Sequence, residues 1–406
     1  MPNRILFVDD ESHVLDGLQN LLRKHRREWD MVFALGGEAA LAELERRPFD
    51  VVVSDMRMPG IDGAELLRRV QKLYPSVARI ILSGHAEREV MVKALPVAHQ
   101  FLSKPCQADV LRTVIERTCS LQAMLHDEPI RRIVGGIDTL PSAPSCYIEL
   151  TKALTTTGGG LLAVADIVEC DPAMSAKILQ LVNSGYFGLG QRITSVRRAV
   201  VYLGIEMIQS LALASHVFTV QVPVVPGFSV EELQEHSLLT ARLARRIVTD
   251  PMRAEEAFAA AIVHDIGRLL LGLAAPEQLA EIIRVAAESK RPRHVVEREL
   301  LGVTHGEIGA YLLGVWGLPL SIVEAVAYHH APRTTTIGDT EILAALHIAD
   351  ALVQAPGAAA QGRGEADMLD MAFLEAAGLT ARLPRWRELV AWEGNAVALT
   401  ADPSRH

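Results

Sequence analysis

The sequence of 406 residues has few cysteines and no long uninterrupted apolar run. Its four cysteines, at positions 106, 119, 146 and 170, are too far apart for a C-x-x-C motif, and their scarcity is typical of a reducing compartment. Polar residues interrupt the most apolar stretches, near 210–225 and 259–275, so we expect no membrane span. Two acids lie within the first ten residues, where a secretion signal would be apolar, and we therefore expect a cytoplasmic protein.

Excess positive charge is also missing. Lys and Arg total 40 against 49 Asp and Glu, which gives a net charge of −9, and the longest basic stretch is Lys290-Arg291-Pro292-Arg293. This composition disfavours direct DNA binding, which needs a basic surface. Half of the residues are hydrophobic, so the chain can bury a large core, and its length predicts at least two domains.

Short apolar runs alternate with amphipathic stretches over the first 125 residues. The runs RILFV, MVFAL, VVVSD, RIILS and QFLS have the length of strands, and segments such as DGLQNLLRKH, AALAELERR and EVMVKAL between them have helical periodicity. This alternation predicts a doubly wound α/β domain with five parallel strands over residues 1–125.

Polar residues follow the ends of these predicted strands. Asp9 and Asp10 end the first strand, Asp55 the third, Ser83 the fourth and Lys104 the fifth. Because a doubly wound sheet forms its site at the carboxyl ends of its strands, we expect these side chains to converge. Three carboxylates repel one another unless a cation neutralises them, and an all-oxygen set is typical of Mg²⁺.

The motifs FVDDE, SDMRMPGIDG, LSG and FLSKP together resemble the receiver domain of response regulators. The resemblance implies that Asp9 and Asp10 hold Mg²⁺ together with Asp55, and that the backbone carbonyl of Arg57 completes the metal site. It also implies that Asp55 accepts a phosphoryl group from a sensor histidine kinase.

Three further residues acquire roles from the same resemblance. Ser83 and Lys104 would bind the phosphoryl oxygens, and Phe101 matches the aromatic position that changes rotamer in the switch. Phosphorylation would add roughly −1.5 to −2 charge and draw Ser83 and Lys104 inward. We expect this change to alter how the receiver contacts the rest of the chain.

A linker is expected at 126–132, where the last receiver helix continues through CSLQAMLHDEP and ends at Pro129. That helix would transmit the signal or form a dimer seam. Beyond it, apolar residues recur at helical spacing almost throughout, which predicts an all-α domain over 133–400. We expect its core at 133–352, a Gly/Ala-rich loop at 355–366 and a C-terminal helical extension at 367–400.

Histidines and acids embedded in apolar helices are the informative residues of this second region. Buried imidazoles and carboxylates need partners, and together they commonly bind a transition metal. The set consists of His236, His264, Asp265, His305, His329, His330 and Asp350.

The segments DPAMSAKILQLVNSGYFG, ITSVRRAVVYLG, AIVHDIGRLLL, THGEIGAYLLGVWGLP and AVAYHH resemble the HDOD output domain, a relative of the HD and HD-GYP phosphohydrolases. As a class, HDOD domains are mostly regarded as non-catalytic signalling modules. The resemblance assigns one metal to His236, His264, Asp265 and Asp350. A second metal would be held by the remaining three histidines, with Asp265 as a bridge; the expected ions are one or two of Fe, Mn or Zn.

Two departures bear on catalysis. The HD-GYP enzymes continue their His-His pair into a glutamate and a DGxGYP loop, whereas His330 is followed here by APRT. Arg268 replaces the usual lysine and is a candidate contact for a substrate phosphate. We therefore expect an output that acts through contacts with a downstream protein or a second copy. The alternative is a phosphorylation-gated, metal-dependent phosphodiesterase acting on a cyclic dinucleotide.

Overall fold

A five-stranded parallel sheet forms the first part of the chain. The computed structural model describes all residues except 1, 85–93, 95, 125–133, 136, 138–139, 143, 156–159, 185–186, 188, 190, 214–221, 335–339, 361–367 and 390–406. The strands are β1 Asn3–Asp9, β2 Trp29–Leu35, β3 Val51–Asp55, β4 Ala78–Ser83 and β5 Gln100–Ser103. Their order is β2-β1-β3-β4-β5, and every pair is parallel. The predicted doubly wound α/β domain is confirmed.

Helices cover this sheet because its strands are apolar on both faces. Four of them lie within the described residues: α1 Ser12–Leu21, α2 Gly37–Arg46, α3 Gly63–Leu73 and α4 Ala108–Met124. Ile5, Phe7 and Val53 pack with Leu111 of α4 on one face, and Leu6 and Val52 pack with Leu66 of α3 on the other. The predicted helix EVMVKAL and the expected helix end at Pro129 lie almost entirely outside the described residues.

The rest of the described chain is helical, which confirms the predicted all-α region. Its helices are α5 Pro144–Thr155, α6 Leu161–Glu169, α7 Pro172–Val182, α8 Val196–Leu213, α9 Val230–Ile247, α10 Pro251–Ile262, α11 Ile266–Ala274, α12 Pro276–Ser289, α13 Arg293–Leu301, α14 His305–Val315, α15 Leu320–Tyr328, α16 Glu341–Ala360 and α17 Met371–Ala376. A break inside α8 falls at Gly204, whose φ of 76° is outside the helical region.

One long apolar stretch is buried in the helical core, and one expected loop is partly helical. The apolar stretch Pro251–Ala274 is long enough to cross a membrane by composition, but it folds as α10 and α11 with a break before Asp265, and 83% of its most apolar window is buried inside the protein. The loop expected at 355–366 is wrong over its first residues, because α16 continues through residue 360. Helical hydrogen bonding along α16 outweighs the low helix propensity of Gly357.

The two parts of the chain are packed against each other. Gln100 of β5 donates from Nε2 to the Val315 carbonyl at 2.8 Å, and Arg117 of α4 donates to the Leu318 carbonyl. Gly314 lets the Leu121 side chain approach the backbone of α14, since an added Cβ would lie 2.7 Å from it. The strand β5 and the helix α4 therefore form one surface that holds the C-terminal end of α14.

A buried arginine supports the same side of the sheet. Arg79 of β4 is 0% exposed and donates to the carbonyls of Val97 and Gly135 at 2.6 and 2.8 Å. The carbonyl of the neighbouring His99 accepts from Gln180 Nε2 of α7 at 3.1 Å. Backbone carbonyls of Val315, Leu318 and His99 thus accept polar contacts between the two domains.

A close crossing of α11 and α14 fixes the start of α14. Gly267 lies so near that crossing that an added Cβ would be 1.9 Å from the His305 carbonyl oxygen. A side chain at this position cannot be accommodated without a backbone shift. The glycine is therefore required by packing, although its φ is not positive.

We predict that Gly267→Ala lowers the free energy of unfolding by about 1–3 kcal/mol, because the new methyl group would overlap backbone. The control is Gly17→Ala on the exposed face of α1, where a Cβ meets nothing within 4 Å. Alanine there should raise helix stability by about 0.5–1 kcal/mol. Thermal unfolding measures both changes, and equal effects of the two substitutions would contradict the packing argument.

Candidate functional site

The first candidate site lies at the carboxyl ends of β1, β3 and β5. Lys104, immediately beyond β5, places its Nζ 2.7 Å from Asp9 Oδ2 and also contacts Asp55 Oδ1. The Arg57 amide donates to Asp55 Oδ2 at 2.7 Å, so the backbone after β3 folds back on the Asp55 carboxylate. Asp10 is exposed at the mouth of the site. The structure thus brings the predicted acids and lysine together.

Ser83 and Phe101 lie on neighbouring strands. Ser83 ends β4 half-buried and donates to the Gly84 carbonyl at 3.1 Å. Phe101 lies in β5 with 2% of its surface exposed, within the apolar cluster on the sheet face opposite α4. The aromatic ring is therefore turned into the core.

Burial raises the pKa of the Asp55 carboxyl, although the Lys104 ammonium opposes the shift. Asp55 is 8% exposed and Asp9 is 1% exposed, so both carboxylates are held out of water. Two desolvated carboxylates share one ammonium here, and a second cation would relieve their repulsion. An all-oxygen donor set of this kind fits Mg²⁺.

The second candidate site lies between six helices of the helical region. His236 lies within α9 and Asp350 within α16, while His264 and Asp265 lie in the break between α10 and α11. His305 is the first residue of α14, whose start is fixed by a capping box. The remaining pair, His329 and His330, directly follows α15.

All seven predicted histidines and acids of this region converge. His236 Nε2 is 3.0 Å from Asp350 Oδ1, and His305 Nε2 is 3.1 Å from Asp265 Oδ1. His330 Nε2 lies 3.1 Å from His305 Nε2. We call these seven residues the His/Asp cluster. Two of its triplets, His236/His264/Asp350 and His305/His329/His330, could each hold a metal ion, since their ligand atoms all lie within 4.8 Å of one another.

Backbone carbonyls orient two of the imidazoles. His264 Nδ1 is 2.6 Å from the Ala261 carbonyl, and His329 Nδ1 is 2.7 Å from the Val326 carbonyl. Within the described part of the chain, Nε2 of both rings is buried without a hydrogen bond. Metal-binding histidines have this arrangement, with one nitrogen held by an outer partner and the other left for the ion. The donor set therefore fits one or two transition metal ions.

Burial and neighbouring charges compete in setting the pKa values of the cluster. It lowers the pKa of His329 to about 3 and that of His330 well below its usual range. Burial opposes protonation of His305 as well, but the adjacent Glu297 carboxylate raises its pKa to about 9. Arg268 lies 2.5 Å from Asp265 and, against the effect of burial, holds the pKa of that carboxyl well below its usual range.

A cavity of about 450 Å³ adjoins the cluster, within the size range of small-molecule sites. Its wall includes cluster residues, the apolar Phe228 and three arginines, Arg268, Arg291 and Arg293. Of these, Arg268 pairs with Asp265, and Arg291 contacts Glu299. The basic residues lie where an anionic ligand would approach the cluster.

Three residues of this site, two of them buried and one half-buried, escape the sequence reasoning. Glu297 is 2.6 Å from His305 Nδ1, His294 stacks on His330 with ring centroids 4.2 Å apart, and His347 Nδ1 is 2.7 Å from the His329 carbonyl. Glu297 and His294 lie on α13 among charged, exposed neighbours. Nothing in that local pattern distinguishes them, because their contacts are made only by the folded chain.

The fold and the two sites define a receiver-like α/β domain joined to a helical domain of the HD type. Residues 5–116 match the response regulator receiver domain, and residues 140–332 match the HDOD domain. The chain is a response regulator with an N-terminal receiver domain and a C-terminal HDOD domain.

Relatives support this assignment only in part of their length. An uncharacterized protein of Treponema pallidum is 25% identical over 237 residues, covering 55% of this chain and 46% of the relative. The hydrogenase transcriptional regulatory protein HoxA of Cupriavidus necator is 30% identical over 125 residues, 30% of this chain and 25% of its own length. The chain thus spans about half or less of these curated relatives.

One solved structure shares the fold over a longer range. A virulence factor from Campylobacter jejuni aligns with a TM-score of 0.52 at 19% identity, covering 65% of this chain and 97% of that one. At this level of identity, the likeness concerns the fold alone.

We predict that Asp55→Asn raises Tm at pH 7 in Mg²⁺-free buffer. The folded protein holds the Asp55 proton more tightly than the unfolded chain does, so this group favours folding at low pH and that contribution is lost as pH rises through the raised pKa. The difference in Tm between variant and wild type should shrink as the pH falls through the raised pKa, since the wild-type carboxyl then takes up its proton. A lower Tm for Asp55→Asn at pH 7 would contradict this account.

Proposed function

We propose that this protein accepts a phosphoryl group on Asp55 from a sensor histidine kinase and transmits the change to its HDOD domain by direct contact. The observation that carries the proposal is the joint contact of Lys104 with Asp55 and Asp9 at the end of β5, the strand that also holds α14. The phosphorylation site and the domain contact are thus built on one strand.

The chemistry assigned to Asp55 is nucleophilic displacement. One carboxylate oxygen forms a bond to phosphorus while the phosphorus–nitrogen bond of the kinase phosphohistidine breaks, and the imidazole leaves. Lys104 and Ser83 would bind the phosphoryl oxygens. Mg²⁺, held by Asp9, Asp10, Asp55 and the Arg57 carbonyl, would supply neutralisation of the developing negative charge.

Transmission follows from what Lys104 must do on phosphorylation. Its ammonium now bridges Asp9 and Asp55, and a phosphoryl group on Asp55 would draw it onto new oxygens. Because Lys104 directly follows β5, this movement acts on the strand whose Gln100 binds the Val315 carbonyl. Repacking of Phe101 would accompany it, and the packing of the receiver on α14 would change.

The output of the HDOD domain is then the exposure or covering of a surface that binds another protein. We propose that it acts through contacts with a downstream signalling protein or with a second copy of this chain, in the cytoplasm. The net charge of −9 disfavours direct DNA control.

We predict that acetyl phosphate with Mg²⁺ adds one phosphoryl group to the wild type and none to Asp55→Asn, as read by intact mass. Phosphorylation should also change hydrogen exchange at residues 305–318, because that segment contacts β5 and α4. The control is Asp62→Asn, an exposed cap of α3 that asparagine can replace, and it should behave as the wild type does. Unchanged exchange at 305–318 in the phosphorylated wild type would rule out transmission through α14.

A second candidate function is favoured by the open Nε2 atoms of His264 and His329 beside the arginine-lined cavity. It is a metal-dependent phosphodiesterase gated by the same phosphorylation, with a cyclic dinucleotide as the candidate substrate. The cluster would hold one or two Fe, Mn or Zn ions, which would supply a hydroxide nucleophile. Arg268 would contact a substrate phosphate. The APRT sequence after His330 lacks the HD-GYP substrate loop, so metal binding without turnover is a distinct outcome.

We predict that elemental analysis of the purified protein finds one or two of these metal ions per chain, and that the double variant His264→Ala/Asp265→Ala loses them. His13→Ala is the control, since that side chain is 77% exposed on the receiver. Hydrolysis of cyclic dinucleotides by the metal-loaded wild type, absent in the double variant, would establish the second function. Metal-loaded protein without turnover would contradict the phosphodiesterase function and support an output through protein contacts. Metal-free wild type would contradict the metal site itself.

A further inference from the structure

Glu297 is a charged residue buried where an unpaired charge would be costly. It lies on α13, is 1% exposed, and is the one acid of that helix turned into the core, whereas Glu299 is exposed. Its Oε2 is 2.6 Å from His305 Nδ1 and accepts from the His305 backbone amide at 2.8 Å. Both contacts are made to the same residue.

We propose that Glu297 is a positioning residue for the metal site, holding the Nδ1–H of His305 so that Nε2 is the nitrogen presented to the ion. The inference rests on the metal site of the proposed function. Nε2 of the same ring lies 3.1 Å from Asp265 Oδ1 and 3.1 Å from His330 Nε2, in the middle of the cluster. A carboxylate behind a metal-binding imidazole fixes the ring orientation and increases the basicity of the ligand.

The simplest competing role is a cap for α14, since Glu297 also binds the first backbone amide of that helix. However, Thr304 and Glu307 already form a complete capping box there. The start of α14 is therefore defined without Glu297, and a half-exposed residue would serve a cap equally well. The cap alone does not require a buried carboxylate, whereas a charge acting on the adjacent His305 ring does.

The glutamine variant separates these roles. Glu297 Oε2 makes both hydrogen bonds, whereas Oε1 has none within the described part of the chain. In Glu297→Gln the amide oxygen can keep both contacts, so only the charge is removed. The matched control is Glu307→Gln on the same helix start, where glutamine preserves the capping box and no cluster residue is touched.

The experiment is a Zn²⁺ titration of the full chain in competition with a chelator. We expect Glu297→Gln to bind Zn²⁺ about 10-fold to 100-fold more weakly than the wild type does. Glu307→Gln should bind as the wild type does. Equal affinities of the two variants would reduce Glu297 to a cap and overturn the proposal.

A second readout does not depend on the metal. In Zn²⁺-free protein, a long-range ¹H–¹⁵N spectrum should show a protected Nδ1 proton on His305 in the wild type and in Glu297→Gln. Glu297→Leu should lose this protected proton. If that variant does not fold, the comparison of wild type with Glu297→Gln still tests the positioning role. An unprotected Nδ1 proton in the wild type would refute the positioning role. Absence of Zn²⁺ binding by the wild type would instead defeat the metal site, while this spectrum still reports on Glu297.

Discussion

Neutralisation of buried carboxylates is the constraint on which both sites depend. Asp9 and Asp55 are held out of water at the end of the sheet, and Lys104 lies between them. Asp265 and Asp350 are buried between helices beside imidazoles and Arg268. Desolvated charges of one sign are tolerated only when cations lie against them. Each site is therefore a place where adding or removing one charge changes the local packing.

The two sites meet this constraint differently. In the receiver, the Lys104 ammonium contacts two carboxylates from the end of a flexible four-carbon side chain. It can therefore move when one of the carboxylates is modified. In the HDOD domain, the compensating groups are Arg268 and the rings of His264 and His305, which Ala261 and Glu297 hold through their Nδ1 atoms. The first arrangement suits a switch. The second suits a rigid binding site, whose geometry is set before any ligand arrives.

The sequence predicts the architecture well, because apolar periodicity and strand-end polar residues are local patterns. The five apolar runs around RILFV, MVFAL, VVVSD, RIILS and QFLS are all strands in the structure, and the later amphipathic stretches are helices. The sequence pattern places the end of α16 too early, because the Gly/Ala-rich residues around Gly357 are typical of a loop. In the structure, the helix continues through them. Contacts between different elements of the fold, such as Glu297 with His305 or Gln100 with Val315, produce no periodic pattern in the sequence and could not be predicted from it.

Helix α14 joins the two halves of the molecule in a physical sense. His305 at its first residue belongs to the His/Asp cluster, and Val315 at its last residue accepts from β5 of the receiver. Eleven helical residues span about 16 Å and move as one body. Thermodynamic linkage is reciprocal, so any free energy by which phosphorylation changes the affinity for a ligand at His305 must equal the free energy by which that ligand shifts the phosphorylation equilibrium. Under the proposed function, a ligand bound in the HDOD domain would therefore act on the receiver as much as the receiver acts on it.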